Sequence, residues 1–326
     1  MNVRRRTRSR AQRLIPAAAV AAVTALGIGT LSACSGDKAV AANTSKFDVV
    51  ASFYPMAFLA ERIGGDHVHV TTLTSPGQEP HDLEISPQQI ASLEESDAVL
   101  YLKNLQPSVD DAVAQSPVGT KIDAASLTTL ENHGSEVGGH AAGHEGHEDG
   151  ESTGKDPHIW LDPVRYAQVA EGVGKAFEKA DPEHAADYEK NTAALVRQLN
   201  ELNTRFKDGL TDTRTKVFIT THAAFGYLAE RYGLTEEAVS GLDPESEPSA
   251  ARVRDLERMA RADGVSTVFY ETLVSDKTAR TIARDTGLKT DVLDPIEGIT
   301  GKSRGKDYFA VQRANLKALQ QALGAK

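Results

Sequence analysis

Three histidines lie in segments that we expect at the carboxyl ends of strands, and their side chains could bind one metal ion together. His81 follows the Pro- and Gly-rich segment 76–80, His158 lies in the polar and aromatic segment 156–163, and His222 follows a strand predicted over 216–221. Ligands of open α/β sheets bind at the carboxyl ends of strands, and neutral imidazole is the commonest metal ligand in proteins. We therefore predict one metal site that these three histidines share.

Three imidazoles need a fourth ligand to close a tetrahedral site, and three carboxylates are candidates. Asp294 ends the last predicted strand and precedes a proline, Glu271 ends the strand before it, and Glu79 lies two residues before His81. Three nitrogens and one carboxylate suit Zn²⁺. The same donors accept manganese or iron, so residue types alone leave the metal and the fourth ligand open.

The segment 131–156 has a composition that cannot form a core. It contains seven acids, one lysine, many glycines and four histidines: His133, His140, His144 and His147. Such a segment is expected to be a mobile loop. Histidine-rich tracts of this kind bind metal through neutral imidazoles, so we predict auxiliary metal binding by these four side chains.

Strand-like and helix-like segments alternate along the rest of the chain. Short β-branched or apolar runs predict strands at 49–53, 68–73, 98–102, 217–219, 268–270 and 292–293, with helices such as 56–63, 87–95 and 250–262 between them. This alternation is typical of α/β units built on mostly parallel sheets. We predict an amino-terminal α/β lobe over 47–180 and a carboxy-terminal α/β lobe over 211–326.

One long helix is predicted between the two lobes, over 181–210. Asp181-Pro182-Glu183 combines a cap, a first-turn proline and a first-turn acid. Apolar residues then repeat at helical spacing and form one stripe: Tyr188, Leu195, Leu199, Leu202 and Phe206. This helix is either an ordinary amphipathic helix or a rigid connector of the lobes.

The first 46 residues indicate export from the cytoplasm. Six arginines precede residue 14, an uncharged apolar run follows, and Leu31-Ser32-Ala33-Cys34 closes it. This order is typical of a secretory signal, here over 1–33, with an uncleaved anchor helix as the alternative. The tetrapeptide resembles the bacterial lipobox, so we predict lipidation at Cys34 and a tether over 34–46.

The charge and the cysteine count exclude several classes of protein. A formal net charge of −10 argues against nucleic acid or an anionic membrane surface as a ligand and suits a cation. The single cysteine excludes an internal disulfide and a cysteine-rich zinc site.

Four short segments resemble the motifs of the ZnuA/TroA-type solute-binding lipoproteins, which serve ATP-binding-cassette importers of zinc and manganese. They are Gly77-Gln78-Glu79-Pro80-His81, Asp156-Pro157-His158-Ile159-Trp160-Leu161-Asp162-Pro163, Thr221-His222-Ala223-Ala224-Phe225 and Leu293-Asp294-Pro295. The resemblance covers about residues 47–324. It implies two Rossmann-like (β/α) lobes joined by one backbone helix, metal in the cleft between them, and a histidine-rich loop typical of the zinc members.

The resemblance also implies residue roles. His81, His158 and His222 match the family's three histidine ligands, and Asp294 matches the carboxylate that many members use as the fourth. Other members use a carboxylate near the first histidine, or water. The paired cysteines that brace the second lobe in some members are missing here.

The function implied is capture of Zn²⁺ outside the cell and delivery to an ABC permease and its ATPase, without catalysis. We expect a monomer, lipid-anchored at the extracytoplasmic face of the bacterial cytoplasmic membrane. Because binding needs neutral imidazoles, zinc affinity should fall as the pH drops below about 6.5.

Three other interpretations stay open at this point. A manganese- or iron-carrying member of the same family would use the same donors. A zinc-buffering or adhesin surface lipoprotein would need only the histidine-rich tract. A zinc hydrolase would keep one metal position open for water, but the sequence contains no HExxH pair.

Overall fold

A computed structural model describes residues 46–133, 155–246 and 248–325. The first sheet is formed by four parallel strands, β1 (Phe47–Ala51), β2 (Val68–Thr72), β3 (Ala98–Tyr101) and β4 (Thr120–Asp123), in the order β2-β1-β3-β4. Three helices connect these strands: α1 (Tyr54–Gly64), α2 (Pro87–Glu95) and α3 (Pro107–Gln115). Each crossover returns the chain to the same end of the sheet, as parallel pairing requires.

The second sheet repeats this arrangement. Its strands β5 (Val217–Thr220), β6 (Thr235–Ala238), β7 (Thr267–Tyr270) and β8 (Lys289–Val292) are parallel and lie in the order β6-β5-β7-β8. The connecting helices are α6 (Gly226–Tyr232), α7 (Ala250–Ala262) and α8 (Lys277–Thr286). In both sheets the chain turns to the opposite side after its second strand, which creates a topological switch point between the first and third strands.

Three longer helices complete the fold: α4 (Pro163–Ala180), α5 (Ala185–Leu210) and α9 (Tyr308–Leu323). A 3₁₀ turn, Pro182–His184, precedes α5, so the long predicted helix is present with a tighter first turn. The predicted apolar stripe of α5 is buried. It packs against α1, α4 and α9. None of the helices in the described part of the chain is both long and apolar enough to cross a bilayer.

One hydrophobic core contacts both sheets. It contains Val49 and Leu100 from the first sheet and Phe218 and Phe269 from the second. Trp160 lies in this core, fully buried. Its indole N–H donates to the carbonyl of Pro295 at 2.7 Å, and its own carbonyl accepts from the Tyr308 hydroxyl at 2.6 Å, so buried hydrogen bonds connect the two halves of the chain.

The fold class is the predicted one, two parallel-sheet α/β units with a long helix between their strands. The proposed lobe limits at 180 and 210 stay predictions. Two strands were not predicted, β4 and β6, because their sequences are short and polar. In β6, Thr235-Glu236-Glu237-Ala238 carries two adjacent acids, yet Glu236 accepts from Thr220 and Phe225 and Glu237 pairs with Arg252.

Candidate metal site

Three loops bring His81, His158 and His222 to one place. His81 lies in the loop between β2 and α2, where Gly77 takes a positive φ of 84° that favours glycine. His158 precedes a 3₁₀ turn, Ile159–Leu161, that leads into α4. His222 lies between β5 and α6. The three ring centroids are 5.4 to 6.1 Å apart.

A fourth side chain, Glu297, completes the cluster. One ligand atom from each of the four residues lies within 4.8 Å of the others. The Oε1 atom of Glu297 is 3.4 Å from Nε2 of His81, 3.4 Å from Nε2 of His158 and 3.7 Å from Nε2 of His222. Three nitrogens and one carboxylate therefore converge, which is a donor set typical of zinc.

The cluster has buried polar atoms that no described protein group satisfies. Nε2 of His158, Nε2 of His222 and Oε2 of Glu297 are buried without a hydrogen-bond partner among the described residues. Buried polar atoms are nearly always paired in folded proteins. The two imidazole nitrogens lie 3.4 and 3.7 Å from Oε1 of Glu297, so the cluster fits a cation that accepts electron pairs from these side chains.

Two carboxylates hold the histidine rings in the tautomer that a metal requires. Nδ1 of His158 lies 2.8 Å from Oδ1 of Asp156, and Nδ1 of His222 lies 2.8 Å from Oε1 of Glu271. An ionised carboxylate only accepts, so each Nδ1 carries the proton and each Nε2 keeps its lone pair for the centre. The His222–Glu271 pair joins the ends of β5 and β7 and so spans the switch point of the second sheet.

The carboxylates also raise the proton affinity of the metal-free site. Burial alone would lower the pKa of His158, but the hydrogen bond with Asp156 and the nearby carboxylate of Glu297 outweigh it and raise the pKa to about 9. Burial would also lower the pKa of His222, but the carboxylates of Glu271 and Glu297 outweigh burial and raise this pKa well above its usual value. The pKa of Glu297 falls well below its usual value because its three histidine partners outweigh burial. Protons therefore compete with a metal for these nitrogens at neutral pH. For an isolated imidazole, this competition would begin only below a pH of about 6.5.

Glu297 was missed by the sequence analysis, although the loop that carries it was found. Asp294, which we expected as the fourth ligand, is buried in the same loop. Its Oδ1 accepts from the backbone N–H of Ile296 at 2.8 Å and its Oδ2 accepts from Thr272 at 3.1 Å. Among the described residues, Asp294 is not part of the cluster. It shapes the turn at Ile296, whose φ of 60° is unusual for a β-branched residue, and this turn presents Glu297.

The two alternative fourth ligands also lie outside the cluster. Glu271 is engaged with His222. Glu79 accepts from the backbone N–H groups of His81 and Asp82 at 3.1 and 3.3 Å, so it braces the loop rather than reaching the centre. The sequence places these carboxylates near the ends of strands that form the site. It does not show the direction in which each side chain points.

Of the four histidines in the histidine-rich tract, the structure describes only His133. Its side chain is only 17% exposed and packed beside Asp156. The expectation that residues 131–156 form one uniform mobile loop is therefore wrong at both ends, since Glu131, His133 and Asp156 make specific contacts. His140, His144, His147 and the predicted lipidation site Cys34 lie outside the described residues.

A family model supports the same interpretation. The family described as zinc-uptake complex component A, periplasmic (ZnuA) matches residues 49–322. The chain belongs to this family. Proteins of the ZnuA family are substrate-binding components of transport systems, which agrees with a cluster of side chains that could hold a metal ion.

Individual relatives agree with the family match. The zinc-binding lipoprotein AdcA of Streptococcus pneumoniae is 34% identical over 297 residues, which cover 89% of this chain and 58% of AdcA. The chain thus spans about three fifths of that relative. The high-affinity zinc uptake system protein ZnuA of Bacillus subtilis is 32% identical over 308 residues, covering 90% of this chain and 93% of ZnuA.

A solved structure shows the same fold. The Zn(II)-bound ZnuA-like domain of S. pneumoniae AdcA superposes with a TM-score of 0.70 at 32% identity, covering 86% of this chain and 99% of that domain. The two-lobe α/β fold implied by the sequence motifs is therefore confirmed.

Proposed function

We propose that this chain captures Zn²⁺ outside the cell and delivers it to a membrane permease. The observation that carries the proposal is the cluster of His81, His158, His222 and Glu297, whose ligand atoms converge within 4.8 Å. Zinc is the cargo of this site. The chain's membership of the ZnuA family and the zinc-bound structure of a related domain support the same conclusion.

The donor set favours zinc over manganese. Zn²⁺ takes four ligands in tetrahedral geometry and binds imidazole well, whereas oxygen donors suit manganese better. The cluster offers three imidazole nitrogens and one carboxylate, and the carboxylates of Asp156 and Glu271 are engaged with histidine Nδ1 atoms. With Glu297 as the fourth ligand the coordination shell is closed, as expected for binding and release rather than for activation of a water molecule.

Charge compensation explains how such a buried site can hold a dication. Asp156, Glu271 and Glu297 surround the three imidazoles and are themselves buried. Ionised carboxylates in a dry site repel one another unless cations balance them. In the metal-free protein, protons on His158 and His222 provide that balance; on binding, Zn²⁺ replaces them.

Release of zinc would come from small movements rather than from wide opening. The core that contacts both sheets is continuous, and Trp160 hydrogen-bonds Pro295 in the loop that carries Glu297. Separating the halves would expose this core. A shift of the loop 294–297 alone would remove the one ligand that carries charge, so docking on the permease needs to move little more than this loop.

The cellular setting follows from the amino-terminal segment and the family. We propose cleavage before Cys34, lipidation of its thiol, and a monomer tethered at the extracytoplasmic face of the cytoplasmic membrane. The partners would be an ABC permease and its ATPase. His140, His144 and His147 would bind zinc weakly and raise its concentration near the site.

The test is a competitive zinc titration of the metal-free chain from Ser35 onward, which retains every described residue. A His81→Ala/His158→Ala double variant is titrated beside it. We expect one tight site that is lost in the double variant, while weaker sites persist. If the double variant binds zinc as tightly as the parent, the cluster is not the zinc site and the proposed function loses its basis.

A further inference from the structure

His133 lies at the start of the histidine-rich tract but is built into the protein. Its ring packs edge-on against Tyr227, with centroids 4.4 Å apart. Its Nδ1 lies 3.0 Å from Oδ2 of Asp156, and its Nε2 lies 3.4 Å from a carboxylate oxygen of Glu230. The buried contacts with Tyr227 and Asp156 hold the ring, whereas Glu230 is exposed to solvent.

Asp156 connects His133 to the metal cluster. Its carboxylate is fully buried and uses its two oxygens for two histidines. Oδ1 accepts from the ring and the backbone N–H of His158 at 2.8 and 2.9 Å, while Oδ2 faces His133. Without His133, Oδ2 would lose its partner and the carboxylate could rotate away from His158, whose orientation depends on it.

The surrounding backbone is shaped to admit this contact. A Cβ atom added at Gly226 would overlap Cβ of His133 and lie 3.0 Å from Oδ2 of Asp156, so only glycine leaves room for both. The Tyr227 hydroxyl accepts from the Glu131 N–H at 2.8 Å and donates to the Asp156 carbonyl at 2.7 Å. The Asp156 N–H donates to the Glu131 carbonyl at 2.9 Å, which closes the two ends of the tract together.

We propose that His133 is a positioning residue of the zinc site and does not serve the tract as a metal ligand. It acts through Asp156 on the orientation of His158. This inference rests on the proposed zinc-binding function. It assigns the four tract histidines to two roles, one in positioning and three in auxiliary binding.

The test compares His133→Leu with His133→Asn in the chain from Ser35 onward. Leucine removes the donor to Asp156, whereas the asparagine amide places a donor near the position of Nδ1. We expect His133→Leu to weaken the tight zinc site by about tenfold, the lower end of the range for a direct partner of a ligating histidine, because His133 acts through that partner, Asp156. His133→Asn should stay within about twofold of the parent by the same reasoning.

Two further measurements separate positioning from a merely structural effect. Co²⁺ bound at the tight site gives a visible spectrum that reports ligand geometry, and we expect it to change in His133→Leu and to be restored in His133→Asn. Glu230→Gln, which alters the exposed partner of His133, is the matched control and should leave both zinc affinity and spectrum unchanged.

The outcomes distinguish this inference from the proposed function. A parent chain without a tight zinc site contradicts the proposed function itself. A parent with a tight site that is lost in His158→Ala, together with a His133→Leu variant that matches the parent in affinity and Co²⁺ spectrum, overturns the positioning role alone. It is also overturned if His133→Asn is as weak as His133→Leu.

Discussion

One oxygen of Asp156 accepts two hydrogen bonds from His158, from its backbone N–H at 2.9 Å and from its ring Nδ1 at 2.8 Å. The same residue therefore fixes the backbone and the tautomer of a proposed zinc ligand. His222 has only the ring half of this arrangement, with Glu271. The binding chemistry of the site depends on these outer carboxylates as much as on the converging nitrogens.

Replacing Asp156 with Asn should weaken zinc binding about 10- to 100-fold, as for other outer partners of ligating histidines. The asparagine amide can donate to Nδ1 and so favours the tautomer with a proton on Nε2. A competitive zinc titration measures the change. Asp181→Asn is the matched control, because Asp181 lies 2.8 Å from Nδ1 of His184 outside the cluster. Equal losses in both variants would contradict the tautomer argument.

Glu297 and Asp294 can be separated by a matched pair of amide variants. Glu297→Gln should weaken the tight zinc site by more than about 100-fold, because it removes a proposed ligand and its charge rather than an outer partner. Asp294→Asn keeps an oxygen for the Ile296 N–H and should stay within about threefold. If Asp294→Asn loses zinc and Glu297→Gln retains it, the original expectation for Asp294 was right.

Zinc binding should release about two protons near pH 7, because His158 and His222 are protonated in the metal-free site. Affinity should accordingly rise with pH up to the His158 pKa of about 9. Calorimetry in buffers of different ionisation enthalpy counts these protons. If zinc binding releases almost no protons at pH 7, the claim that the paired carboxylates keep His158 and His222 protonated in the metal-free site is contradicted.

The stability of the metal-free protein should fall as the pH rises, whereas its zinc affinity should increase. The folded-state pKa of His158 is raised above its unfolded value, so the protonated imidazole stabilises the fold fully below about pH 6.5. That contribution is lost as the pH rises through about 9. Melting temperatures of the metal-free chain between these values check the sign, and His158→Gln should flatten the dependence.

Replacing residues 136–153 with a short Gly/Ser linker should keep the tight site and abolish the weaker ones. The replaced segment includes His140, His144 and His147 but spares Glu131, His133 and Asp156, whose contacts close the tract. Zinc stoichiometry and affinity measure both effects. Loss of the tight site in this variant would show that the tract, and not the cluster, binds zinc.

Much of the site could be predicted from the sequence because the sequence pattern shows where strands end. His81, His158 and His222 each stand beside a predicted strand or turn, and parallel strands bring their carboxyl ends to one edge. The sequence pattern does not show the direction in which a side chain points. Asp294 turns toward Ile296 and Thr272, and Glu297, three residues later, reaches the histidines instead.

The polar elements were missed for a related reason. The acids of β6 and the imidazole of His133 look solvent-exposed in sequence, because polar residues usually are. Their partners lie far along the chain: Arg252 for Glu237, and Asp156 for His133. Only the folded arrangement reveals that these groups are paired and partly or fully buried.

X-ray absorption at the zinc edge of the linker variant, loaded with one equivalent of zinc, tests the central claim most directly. We predict four nitrogen or oxygen ligands at about 2.0–2.2 Å, with the multiple scattering of three imidazoles. Glu297→Gln in the same background should change the oxygen shell and leave the imidazoles in place. A spectrum with one imidazole or none would contradict the three-histidine site.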